Sequence, residues 1–302
     1  MRKVLKWIGI VIAGLVGLIV VLVVAALIFG QVSFKRKLAN RPLYQITADT
    51  SPEGLERGKY LAEAVMSCDK ACHSPEETPF TGMAEEINEG PISGVFAVPN
   101  LTSDNETGLG AWTDAEIARA IREGIDKDGV SLVIMPSSNF HRMSDQDIAS
   151  LVGYLRGLDP VRNEIPPLKL NAIAKVMLAM GIFGASPVGE PITQAQQAPP
   201  AGTADYGGYL VSLGVCRDCH GKDLNGNSGG GPAGFAPNLT PGGELAAWSE
   251  ADFLTAMHSG VTPSGKVLSE DMPWNAYGKM TDEDLKAIWL YLQSLPALEL
   301  PK

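Results

Sequence analysis

Cys216-Arg217-Asp218-Cys219-His220 sets two thiols three positions apart and an imidazole directly after the second. Two thiols in that order add across the two vinyl groups of one porphyrin, and the adjacent imidazole then reaches the iron from its proximal side; this is the C-x-x-C-H haem-attachment signature. Upstream stands a longer version, Cys68-Asp69-Lys70-Ala71-Cys72-His73, with Asp69 in the slot where the usual spacing puts a thiol. These are all four cysteines of the chain, so none is spare. Cys72-His73 keeps the necessary adjacency, and Cys68 needs only a looped-out residue to reach its vinyl group. The reading is a second haem site with a one-residue bulge; attachment through Cys72 alone is the alternative. A thioredoxin-like dithiol would need a βαβ context, which is absent. Zinc would need a fourth ligand in each half or one site shared between them, and spacing argues against both zinc and structural disulfides.

Working outward from the two motifs, the halves repeat over about 100 residues. Gly58-Lys59-Tyr60-Leu61 answers Gly207-Gly208-Tyr209-Leu210, and Phe96-Ala97-Val98-Pro99-Asn100-Leu101-Thr102 answers Phe235-Ala236-Pro237-Asn238-Leu239-Thr240. Trp112-Thr113-Asp114-Ala115-Glu116 matches Trp248-Ser249-Glu250-Ala251-Asp252, Met135-Pro136 matches Met272-Pro273, and Met143-Ser144-Asp145-Gln146-Asp147 matches Met280-Thr281-Asp282-Glu283-Asp284. So many matches in one order mean duplication.

The repeated plan is helical. Thr113, Ser144, Ser249 and Thr281 each precede an acid by three residues, the pattern of a capped helix start. Ile148, Leu151, Val152, Leu155 and Leu285, Ile288, Trp289, Leu292 then recur at helical spacing as the apolar faces of two closing helices. Strand signals are weak, so the fold class is all-α: two tandem domains joined by a linker, after one N-terminal membrane helix. Gly58 and Gly207 offer side-chain-free patches where the closing helices, with Tyr154 or Tyr291, cross closely.

An iron that only exchanges electrons has both axial positions filled, commonly by His and Met. Met135 and Met272 are the expected distal ligands, each stiffened by the following proline. Met143 and Met280 also match, at the mouth of a capped helix, and are read as packing around the haem; one of them as the ligand is the alternative. His141 and His258 have no histidine counterpart, position 141 pairing with Gly278 and 258 with Arg122. Both are assigned to surface or haem-edge positions, with bis-His ligation at one site as the other reading. Trp112 and Trp248 are expected to wall a haem pocket or donate to a propionate.

On these residues both halves resemble class I cytochrome c domains, and the tandem is similar to the dihaem cytochrome c family that includes subunits of membrane-bound alcohol and sugar-acid dehydrogenases. The resemblance covers about residues 50–160 and 203–296. It implies an all-helical fold around two covalently bound haem c groups, with His73 and Met135 on one iron and His220 and Met272 on the other. The long first motif is the departure from the family pattern.

The chain of 302 residues is long enough for two small domains with separate cores plus a membrane segment. Seven of the 24 Lys/Arg lie in residues 1–41, which hold no acid, so the remainder carries 17 basic against 34 acidic side chains. Such a body is unsuited to nucleic acid and suited to partners with basic rims. Between Lys6 and Lys35 lie 28 uncharged residues, enough to span a bilayer and too many for a signal peptide, although Ala25 and Ala26 offer a peptidase site. Residues 1–41 are read as an anchor with a helix over about 7–34, 42–165 and 203–302 as the two domains, and 166–202 as a linker. Within the linker, Leu170 to Phe183 is expected to form a helix packed between the domains, with a helix lying on the bilayer as the alternative. Both flanks of the span are basic (Lys35, Arg36 and Lys37 on the far side), so orientation comes from the resemblance: amino terminus inside, haem domains on the outer face of the bacterial cytoplasmic membrane. The expected function is single-electron relay between a respiratory donor and acceptor, with a dehydrogenase, quinol-oxidising complex or terminal oxidase as partner. An electron-accepting subunit of a dehydrogenase is the alternative. Two Met-Pro loops and no fifth cysteine argue against a dihaem peroxidase or a thiosulfate-oxidising enzyme, and no residue is assigned a catalytic role.

Overall fold

A first helix, α1 (Arg2–Phe34), begins five residues before the expected start. The computed structural model describes residues 2–34, 36, 38, 41–74, 78–180, 191–229 and 234–301. Lys35 and Lys37, residues 181–183 of the apolar stretch and 184–190 of the linker lie outside that set. From Lys6 to Phe34, α1 is long and apolar enough to cross a membrane. Its Val, Leu and Ile side chains are exposed along most of that length, as a lipid-facing helix requires.

The first repeat opens with α2 (Pro52–Tyr60), where Ser51 caps the Gly54 amide and Pro52 fills the first turn. A π-helical turn, Leu61–Val65, continues α2, and a second, Asp69–His73, carries the first motif. Next come β1 (Met83–Glu89) and β2 (Ile92–Val98), paired antiparallel from Met83–Val98 to Glu89–Ile92. Gly90, at φ +55°, supplies the turn between them. Then follow α3 (Asp114–Glu123), the short α4 (Ser137–Phe140) and α5 (Asp145–Arg156). α5 crosses α2 at Gly58, where a Cβ would lie 2.0 Å from the Ser150 carbonyl oxygen and 2.8 Å from Cβ of Tyr154.

The hairpin corrects the all-helical expectation. Ala84, Glu85, Glu86, Asn88 and Glu89 of β1 are exposed on both faces of the strand, so no alternation marks it in the sequence. β3 (Lys169–Leu170) adds to β2 against Gly94, and Asn171 then caps α6 (Ala172–Ala179). α6 does not pack between the repeats as expected; it packs on α1. Gly30 allows the approach, since a Cβ there would sit 2.8 Å from the Val176 amide. Phe34, Val133 and Leu178 close a small core at the joint, and Lys175 Nζ bonds Gln31 Oε1 at 2.8 Å.

The second repeat runs α7 (Ala204–Leu213), α8 (Cys216–His220), β4 (Asn227–Ser228), β5 (Phe235–Ala236), α9 (Glu250–Ser259), α10 (Trp274–Tyr277) and α11 (Asp282–Ser294). Duplication is visible as geometry: α3 and α9 both open on a closed capping box and both end on a left-handed glycine, Gly124 and Gly260. α11 crosses α7 as α5 crosses α2, with Gly207 against the Ala287 carbonyl and Gly208 against the Tyr291 ring. The separate cores anticipated from chain length are joined. Leu61, Val65 and Met143 of the first repeat belong to one buried cluster with Leu210, Leu213 and Met280 of the second.

Candidate functional site

Val215, in the left-handed region at φ +56°, turns the chain sharply into α8 and so presents Cys216, Cys219 and His220 together at the end of α7. His220 is buried, and its Nδ1 lies 2.8 Å from the Pro237 carbonyl oxygen. A carbonyl only accepts, so Nδ1 carries the proton and the Nε2 lone pair is left for a metal. His73 repeats this with Nδ1 3.0 Å from the Pro99 carbonyl oxygen. Burial lowers the pKa of both imidazoles, which keeps them in the neutral form that ligates.

Pro99 and Pro237 were visible in the sequence only as markers of the repeat, and their carbonyls are the contribution it did not reveal. The next residue holds each one in place. Asn100 Nδ2 donates to the Val161 carbonyl at 2.7 Å and Asn238 Nδ2 to the Leu298 carbonyl at 2.7 Å, while Oδ1 of each accepts the amide of Thr102 or Thr240. The loop beside each imidazole is thereby tied to the segment that follows the closing helix.

The two motifs differ in backbone. Cys216–His220 is α-helical, whereas Cys68 precedes a π-helical turn over Asp69–His73, closed by i→i+5 bonds. A turn that closes one residue later takes up the extra residue, so Cys68 and Cys72 still stand about one turn apart. The looped-out residue expected from spacing is replaced by a widened turn, and Asp69 is buried in it. Burial pushes the Cys68 and Cys216 thiols up to about 12 and raises those of Cys72 and Cys219 as well. Addition across a vinyl group consumes the S–H that each such thiol carries. All four cysteines are free, and among the described residues no group of three or more His, Cys, Asp and Glu is placed to hold an ion. The donors therefore fit haem c: two thiols and one neutral imidazole at each site.

The thioethers expected from the sequence are Met135 and Met272. Both are half-buried against the core and each is held by the same tight turn: the Ser137 amide donates to the Met135 carbonyl at 2.8 Å, and the Trp274 amide to the Met272 carbonyl at 2.6 Å. Pro136 and Pro273, at ψ +49° and +52°, are the centres of these turns, close to the inverse γ conformation. Met143 and Met280 are instead enclosed in the core, as filler is. Trp112 and Trp248 pack half-buried against that core, each just before its capping box. α4, which follows the Met135 turn, packs on α7, and α10, which follows the Met272 turn, packs on the Leu61–Val65 turn.

The unmatched histidines form one joint twice, from opposite sides. His141 Nδ1 lies 3.2 Å from the Arg122 carbonyl oxygen, and His258 Nδ1 lies 2.7 Å from that of Gly278, the counterpart positions. His258 Nε2 also bonds Asp282 at 2.9 Å. The Gly278 carbonyl and then Asp282 raise the His258 pKa above its ordinary 6.5. A raised folded-state value gives stability that is complete below 6.5 and lost as pH climbs through the folded pKa. His258→Gln is expected to remove a few tenths of a kcal/mol near pH 6 and almost nothing near pH 8, because the pair is exposed. Thermal unfolding of the two chains at both pH values checks this, and an equal loss at both would contradict it.

Residues 202–292 match the family model described as cytochrome c oxidase, cbb3-type, subunit III. The chain is 30% identical over 276 residues to the cytochrome c subunit of the quinone alcohol dehydrogenase of Gluconobacter oxydans (strain 621H), covering 81% of this chain and 55% of that one. It is 26% identical over 279 residues to the fructose dehydrogenase cytochrome subunit of Gluconobacter japonicus, covering 85% of this chain and 56% of that one. A diheme cytochrome c-type protein of Cereibacter sphaeroides is 31% identical over 223 residues, 68% of this chain and 73% of that one. The chain thus spans just over half the length of the two dehydrogenase subunits.

Proposed function

Because the chain belongs to the dihaem cytochrome c family, we propose that it is a membrane-anchored electron carrier that takes single electrons from a dehydrogenase and passes them to a respiratory acceptor. The observation that carries this reading is the pair of imidazoles, each giving its Nδ1 proton to a proline carbonyl and keeping Nε2 for a metal. Family membership implies covalently bound haem c; when bound, it supplies a one-electron Fe(II)/Fe(III) couple. Two such groups are proposed, in domains spanning 42–165 and 203–302. Cys68, Cys72, Cys216 and Cys219 fix the porphyrin edges, Trp112 and Trp248 wall the pockets, and the proline carbonyls hold the imidazole planes. His73 with Met135, and His220 with Met272, fill the axial positions.

α1 is the anchor in this reading, with its amino terminus inside and both domains on the outer face of the bacterial cytoplasmic membrane. Confinement to that layer raises the carrier's concentration near membrane partners. A dehydrogenase donor is favoured by the relatives, two of which are named as dehydrogenase subunits. The acidic body suits a donor or acceptor with a basic rim, a quinol-oxidising complex or terminal oxidase included.

The reading is tested by haem content of the intact chain, measured by alkaline pyridine spectroscopy. Two haems per chain are expected, and a colourless chain that binds zinc would end it. Met135→Ala and Met272→Ala are each expected to abolish the weak sulfur-to-iron absorption of one oxidised haem and to lower that haem's potential. Survival of both bands in both variants would move the distal ligands elsewhere.

A further inference from the structure

Ser144 and Thr281 cap α5 and α11, yet the acids three residues on do not close the box as they do elsewhere in the chain. At α3 the Thr113 amide donates to Glu116 Oε2 at 2.8 Å, and at α9 the Ser249 amide donates to Asp252 Oδ2 at 2.9 Å. At α5 and α11 a phenol from the other repeat stands between amide and acid. The Ser144 amide donates to the Tyr209 oxygen at 3.1 Å, and that hydroxyl donates to Asp147 Oδ2 at 2.6 Å. The Thr281 amide donates to the Tyr60 oxygen at 3.2 Å, and that hydroxyl donates to Asp284 Oδ2 at 2.7 Å.

Tyr60 and Tyr209 are counterparts in the repeat, as are Asp147 and Asp284, so exchanging the repeats reproduces the arrangement. Arg57 sits where the two halves of it meet. Its Nε is 2.8 Å from Asp147 Oδ1, Nη1 is 4.0 Å from Asp284 Oδ2, and Nη2 donates at 3.2 Å to the hydroxyl of Tyr206, its own counterpart. A satisfied polar network that spans both repeats favours the one register in which every member keeps its partner. An open capping box also gives each tyrosine a socket with a donor above and an acceptor below, which tolerates little displacement.

Each clamped tyrosine lies on the helix that feeds an attachment motif: Tyr60 is eight residues before Cys68, and Tyr209 seven before Cys216. Asn139, in the α4 turn beyond Met135, bridges the same interface with Nδ2 3.2 Å from both carboxylate oxygens of Asp218, inside the second motif. Resting on the dihaem reading above, we propose that Tyr60 and Tyr209 are positioning residues: their exchanged capping contacts hold the two attachment sites at one spacing and so set the rate of electron exchange between them. Electron exchange between separated centres falls steeply with distance, so a small slip at the clamp is read out as a rate.

The test uses the full chain with Tyr60→Phe, Tyr209→Phe and the double change, which keep the rings and remove only the hydroxyls. Amide exchange is expected to cross over: Tyr209→Phe deprotects Ser144 about tenfold, and Tyr60→Phe deprotects Thr281 about tenfold, equivalent to ~1.4 kcal/mol each. In the double variant, electron equilibration between the haems after flash reduction is expected to slow about tenfold, with both midpoint potentials and the haem count unchanged. Deprotection without any change in rate would overturn the positioning role, and absence of deprotection would overturn the clamp. A parent chain without haem would overturn the electron-carrier reading instead; the amide pattern, which needs no haem, still tests the clamp.

Discussion

A chain with Cys216 and Cys219 both changed to alanine is expected to hold one covalent haem against the two proposed for the parent. The second motif has the unmodified spacing on an α-helical turn, which in the proposed reading directs both of its thiols to one porphyrin, and the two remaining cysteines belong to the first motif. Denatured-protein mass and pyridine spectra measure the loss. The first motif gives a graded result, because the π turn over Asp69–His73 brings Cys68 back to a one-turn offset from Cys72. Cys68→Ala is therefore expected to keep its haem through Cys72 with one thioether, which shifts the pyridine band of that haem. Cys72→Ala is expected to lose far more, since the thiol beside His73 couples attachment to ligation. A haem count of two in the Cys216/Cys219 double variant would remove α8 from the site. An unshifted band in Cys68→Ala would show that Cys68 never reached its vinyl group, leaving the π turn as a packing feature.

Short-range chemistry made much of this chain legible in its sequence. Four capped helix starts and two apolar closing faces depend on residues a few positions apart, and the duplication states each one twice and marks Gly58 and Gly207 as matched crossing points. What the sequence withheld depends on long-range pairing. Tyr60 and Tyr209 sit in a plain repeated block, and nothing local says that their hydroxyls enter the caps of helices more than 60 positions away in the other repeat. The Pro99 and Pro237 carbonyls are backbone atoms, which no side-chain pattern marks. α6 reads as a generic apolar stretch; its partner is set by Gly30, over 140 residues earlier, and by the added strand β3 that aims it at α1. β1 escaped notice because exposure on both faces erases the period of two.

Gly58→Ala and Gly207→Ala are expected to be among the most destabilising single-methyl additions within the described residues. A Cβ at Gly58 would stand 2.0 Å from the Ser150 carbonyl oxygen, and one at Gly207 would stand 1.9 Å from that of Ala287. Both obstacles are backbone atoms within helices, so no rotamer change relieves them and α2 must part from α5, or α7 from α11. Overpacking of a core costs about 1–3 kcal/mol, and a forced separation of two helices lies at or beyond the upper end, against a total stability on the order of 5–15 kcal/mol. Gly157 is the control: it closes α5 at φ −80°, and a Cβ there would meet only the Tyr154 carbonyl oxygen at 3.4 Å and that of Gly153 at 3.7 Å. Gly157→Ala is expected to change the unfolding midpoint by no more than a degree or so. Thermal unfolding of all three variants in one detergent ranks them. Because α2 and α7 lead into the two attachment motifs, the destabilised variants should also lose haem selectively, Gly58→Ala from the first site and Gly207→Ala from the second. Equal loss from both sites in either variant would instead mean that the joined core transmits the strain across the repeats, and would make the two halves one cooperative unit.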